Sequence, residues 1–98
     1  MAAYETLSLC IIEYENRISI SFPLADMREF AFIYDFDVEN SAKLMAALQK
    51  KWQGSLEQMV REGFVHTTVR DEYFECLKLE EFCKENGIQY KVTQELLI

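Results

Sequence analysis

In Ile18–Phe22 and again in Phe30–Phe36 large apolar residues recur at every second position. Ile18, Ile20 and Phe22 alternate with Ser19 and Ser21, and Phe30, Phe32, Tyr34 and Phe36 repeat the pattern further on. A two-residue period is the repeat of a pleated strand with one buried face, and a helix would scatter these positions around its circumference. Pro23 removes a ladder donor and ends the first of these runs. Upstream, Leu7, Leu9 and Ile11 alternate with Ser8, Cys10 and Ile12, which predicts a strand over Leu7–Tyr14 with both faces largely covered. Glu15-Asn16-Arg17 supplies a tight turn between the first two strands, because Asn tolerates positive φ. The expectation is an antiparallel meander, with Leu24 to Arg28 bridging to its third strand.

Past Phe36 the period becomes that of a helix. Asp37, Asn40 and Ser41 each suit an N-cap, and Leu44, Leu48 and Trp52 follow at four-residue steps with Met45 beside them. Gly54 interrupts this helix. Ser55-Leu56-Glu57-Gln58 has the form of a capping box and opens a short second helix that Gly63 is placed to close. Phe64 to Val69 has the β-branched content of a strand, Asp71 can cap a helix over Glu72–Asn86, and Gly87 sits at its C′ position. Tyr73, Phe74, Cys76, Leu77 and Leu79 crowd the start of that helix, so a strand competes for Glu72–Leu79. Ile88, Tyr90 and Val92 make a last strand. The order β-β-β-α-α-β-α-β predicts an α+β fold, a mainly antiparallel sheet with helices packed on one face. No repeat or linker divides the chain, so 1–98 reads as a single compact domain. At 98 residues, half of them apolar and 13% aromatic, it can bury a core without disulfides or metal.

Residues capable of chemistry are few and dispersed. His66 is the only histidine, and acid–base work requires a convergent partner that its neighbours Phe64 and Thr68 do not supply. Cys76 and Cys83 share one side of a helix, yet their spacing is not that of a zinc pair, and buried packing is the expected role. Asp35, Asp37 and Glu39 follow the ligand steps of a calcium loop, but Asn40 and Ala46 stand where its glycine and its glutamate would be needed. Three glycines leave no phosphate-binding loop or nucleophile elbow. The chain is therefore expected to be no enzyme and to use neither cofactor nor metal.

Charge is the feature that points to a function. Seventeen acidic against ten basic residues give −7, which disfavours direct contact with nucleic acid or anionic membranes and favours basic partners. The charge is segregated: residues 1–40 carry −6, residues 41–70 carry +3, and residues 71–98 carry −4. Lys43, Lys50, Lys51 and Arg61 form the basic middle. No apolar run approaches the roughly 18 residues of a membrane span, the first residues lack a secretory pattern, and the three cysteines have no disulfide-framework spacing, so a cytoplasmic setting is expected. The expected role is a protein-binding or inhibitory module that engages a larger partner with a basic surface. Such a module can act as a nucleic-acid mimic, the mode of phage anti-defence (anti-CRISPR-like) and toxin-immunity proteins, an analogy of class that rests on no shared motif. Asp35, Asp37, Glu39, Glu72, Glu75, Glu80, Glu81 and Glu85 would carry the contact, flanked by exposed Tyr34 and Tyr73. The alternative expectation is a self-associating structural or regulatory homodimer that shares the aromatic surface of Phe30, Phe32, Tyr34 and Phe36.

Overall fold

The period-two runs form the strands they predict. The computed structural model describes residues 9–23, 30–69 and 72–96. Strand β1 (Cys10–Tyr14) turns into β2 (Arg17–Pro23), and β2 pairs with β3 (Phe30–Phe36), all antiparallel. Tyr14 and Arg17 close the first hairpin, leaving Glu15 and Asn16 as its two turn residues. Both have positive φ, 52° and 66°, as a primed turn requires to match the strand twist. Leu7, Leu24 to Arg28 and Asp71, named in the expectations above, lie outside the described residues.

Helix α1 (Val38–Lys51) starts at Asp37, whose carboxylate accepts from the Asn40 N–H at 2.8 Å. Helix α2 (Leu56–Phe64) opens on the expected capping box, with Ser55 and Gln58 bonded reciprocally. Gly63 does not close it. The helix continues to Phe64, which is buried, and Gly63 instead admits the Trp52 ring: a Cβ there would lie 2.7 Å from Trp52 Cη2. Next comes a small hairpin of β4 (Val65–Thr67) and β5 (Glu72–Phe74), where a helix over Glu72–Asn86 was expected. Packing decides this. The Phe74 ring stacks on Phe22 at 4.1 Å, and the Glu75 N–H donates to Phe64 O at 2.7 Å, contacts that a helical start at Glu72 would forfeit. Helix α3 (Cys76–Glu85) follows and ends in a Schellman motif, with the Ile88 N–H donating to Cys83 O at 2.8 Å and Gly87 at φ 66°. Ile88 thus closes a helix, and the last strand, β6 (Lys91–Leu96), begins three residues later.

Strand β6 pairs antiparallel with β3, so the sheet order is β1-β2-β3-β6. One face carries Ile18, Ile20, Phe22, Tyr34 and Phe36 into a core completed by Leu44, Leu48, Met59, Val60, Leu79 and Phe82 of the helices. Each such side chain contributes about 1.5–3 kcal/mol by leaving water. Two expectations are corrected here. Tyr34 is 1% exposed, Phe36 is buried and the half-buried Phe32 packs against the core, so among the described side chains these rings offer little aromatic surface for self-association; the Phe30 side chain lies outside those described. Only one face of β1 is covered: Leu9 and Ile11 meet the core, whereas Cys10, Ile12 and Tyr14 face solvent.

Candidate functional site

Antiparallel pairing gathers carboxylates at one end of the sheet. The register sets Glu13 opposite Ile18 and Ile18 opposite Phe36, so the β1–β2 turn lies at the end where β3 stops and α1 begins. Glu13, Glu15, Asp35, Asp37 and Glu39 all belong to this end. A concavity between the turn and α1 is lined by Glu13, Tyr14, Glu15, Arg17, Val38 and Met45. Asp35 is exposed on the sheet face that no described helix covers, opposite Lys91 in the register. The Asn40 N–H, then its side-chain amide, hold the Asp37 carboxyl below the usual carboxylate range. Glu39 pairs with Lys43 at 3.5 Å. Among the described residues Glu13, Glu15, Asp35 and Asp37 have no ion-pair partner within 4.0 Å.

The C-terminal end of α3 is tied to the same end. The Gln89 N–H donates to Asn40 Oδ1 at 2.8 Å, and Lys43 Nζ reaches Gly87 O at 3.5 Å. This brings Glu85 and Glu81, both exposed, to the flank of the acidic end. A shallow groove runs beside them, lined by Leu77, Glu80, Glu81, Lys84 and Tyr90. Glu80 has a structural task, because the buried Tyr34 hydroxyl donates to its carboxylate at 2.6 Å. Burial, and then that bond, push the Tyr34 hydroxyl far above its ordinary pKa of 10.0. Tyr34 therefore cannot flank a contact, contrary to the expectation for it.

The remaining expected residues lie elsewhere and are engaged. Glu72 pairs with Arg61 at 3.4 Å and Glu75 with Lys78 at 3.5 Å. Tyr73 is half exposed and stacks on His66 on the small hairpin. The expected basic stripe is broken up in the same way. Arg61 also pairs with Glu57 at 3.1 Å, Lys43 with Glu39, and Lys51 lies 5.7 Å above the Trp52 ring. Only Lys50 of the four is left without such a partner among the described residues.

Burial pushes the Cys83 thiol up to about 12, so it carries no thiolate at neutral pH. No group of three or more His, Cys, Asp or Glu among the described residues is arranged to hold a metal ion. Among them, too, no helix is long and apolar enough to cross a membrane. Comparison of the chain with protein families, curated proteins and solved structures finds no match. Glu13 and Glu15 are the functional candidates that sequence reasoning missed. The signal was present: a meander necessarily returns its first turn to the end where the third strand finishes.

Proposed function

We propose that this chain is a small acidic binding module that docks its carboxylate-rich end onto the basic surface of a larger protein, in place of the phosphates that surface normally meets. The supporting observation is the convergence of Glu13, Glu15, Asp35 and Asp37, without ion pairs among the described residues, at one end of the sheet, beside Glu39 and the flank of Glu81 and Glu85. They project from a strand pair, a helix cap and a helix end, elements already ordered by the core, so little conformational entropy is lost on docking. The acidic excess at this end also accelerates encounter with a basic groove. The reading involves no catalytic step and no cofactor.

The test is retention of purified basic nucleic-acid-binding proteins on the immobilised chain, with duplex DNA as competitor. Retention should weaken steeply as salt rises and should be lost to DNA. Neutralising Glu13, Glu15, Asp35 and Glu39 together (E13Q/E15Q/D35N/E39Q) should weaken binding by about tenfold or more, roughly 1.4 kcal/mol or above. Glu72→Gln with Glu75→Gln, at the other end of α3, should leave it unchanged. Equal retention by the native and the four-fold neutralised chains sinks the reading.

A further inference from the structure

The two edges of the sheet are unlike. The outer edge of β6 presents Lys91, Thr93 and Gln94, all exposed, around a single exposed apolar residue, Val92, so it is mostly polar and guarded by a lysine. On the open face of the sheet the side chains of β1 are apolar. Ile12 is 54% exposed and Tyr14 68%, with Cys10 exposed beside them, and no strand among the described residues pairs with the outer edge of β1. An apolar edge with unpaired backbone groups is a template for another strand.

We infer that two copies of this chain pair through the outer edges of their β1 strands, antiparallel about Ile12, into one continuous eight-stranded sheet. The hydrogen-bond phase selects the register. Tyr14 and Arg17 flank a two-residue turn and form a hydrogen-bonded pair, as do Ile12 with Ser19 and Cys10 with Ser21 at every second step. The backbone groups of Ile11 and Glu13 therefore point outward. An antiparallel neighbour must match outward residues to outward residues, so the two-fold axis falls at Ile11, Ile12 or Glu13. At Glu13 it would set like charges opposite one another. At Ile11 it leaves Glu13 and Tyr14 opposite residues that precede the strand. At Ile12 all five residues of Cys10–Tyr14 are paired: Ile11 exchanges hydrogen bonds with Glu13 of the second copy, Ile12 meets Ile12, and Cys10 lies opposite Tyr14.

The resulting contact is self-complementary and apolar on the open face of the sheet, the requirement of an isologous interface. Charge agrees with it. Each copy carries −7, and the antiparallel arrangement sends the two turns, with Glu15, to opposite ends of the shared ladder, whereas the two Glu13 residues sit two residue steps apart as diagonal rather than directly opposed neighbours. Glu15, Asp35, Asp37 and Glu39 remain outside the ladder. The assembly differs from a dimer through the rings of β3, of which Tyr34 and Phe36 are buried.

Sedimentation of the full chain at about 100 µM, a concentration suited to a small edge interface, should show a dimer. Ile12→Lys places two ammonium groups across the axis at a position exposed in the monomer, and should give a monomer with unchanged circular dichroism. A second variant reads the register directly. In a non-hydrogen-bonded antiparallel pair the Cα atoms are about 4.5 Å apart, inside disulfide range, so the C10S/I12C variant should form a covalent dimer with glutathione disulfide. The native Cys10 residues would lie four residue steps apart along the ladder, about 13 Å and beyond a disulfide's reach, so neither the native chain nor its C10S variant should cross-link. A monomer throughout, a dimer that survives Ile12→Lys, or cross-linking through Cys10 in place of I12C overturns the inference.

Discussion

Two buried polar residues, Asn40 and Ser41, hold the N-terminal end of α1 in place. Ser41 Oγ accepts from the Ile18 N–H at 2.8 Å and donates to Phe36 O at 3.1 Å, bridging β2 and β3 beneath the acidic end. Sequence alone offers both residues as helix caps, a local role that Asp37 takes, because nothing local shows that Ile18, 23 residues away, needs an acceptor. Ser41→Ala should cost about 1–3 kcal/mol in denaturant unfolding, the penalty of leaving a buried N–H unsatisfied. Cys83 sets a pH limit. Its thiol is raised from 9.0 to about 12 in the folded chain, so the stability that comes from burying it protonated is full below pH 9 and is lost as pH rises through about 12. The buried Tyr34 hydroxyl, also raised, adds to the same trend above its ordinary 10.0. Unfolding free energy measured across that alkaline window should fall, and less steeply in the Cys83→Val variant, which has no thiol to titrate.

At the level of elements, local pattern and long-range packing divide the outcome. The meander, the two-residue turn, the Ser55 capping box and the Gly87 stop were legible because each depends on residues within a few positions of one another. The β4–β5 hairpin was not legible. Glu72-Tyr73-Phe74 satisfies either pattern, and the stacking of Phe74 on Phe22, which decides between them, joins positions 52 residues apart. Gly63 was misread for the same reason, since a glycine inside a helix announces a stop unless the ring above it is known. Gly63→Ala gains about 1 kcal/mol of helix propensity but forces a methyl group into Trp52, an overpacking cost of about 1–3 kcal/mol. The expected result is a lower melting temperature. In a Trp52→Leu background the same substitution should become neutral or stabilising, and a double-mutant cycle will show the coupling.

On the scale of the whole molecule the charge pattern is sharper than the sequence suggested and differently placed. Glu72 and Glu75 are paired with Arg61 and Lys78, whereas Glu13, Glu15, Asp35 and Asp37 at the acidic end have no ion-pair partner among the described residues. That end repels itself. Stability should therefore rise with ionic strength, and Glu13→Gln with Glu15→Gln should add about 0.5 kcal/mol at low salt and flatten the salt response, measured by urea unfolding. What the sequence by itself determined is the class of fold, most of the elements, their caps and the overall negative charge, because period, propensity and composition belong to neighbouring residues. Which carboxylates are left without a partner, which aromatic rings are buried, and which edge of the sheet is apolar were decided only by the tertiary structure. Burial and charge neutralisation depend on which distant segments meet, and Tyr34 shows this most plainly: one of four rings on an alternating strand, it is withdrawn from the surface by a carboxylate 46 residues further along the chain.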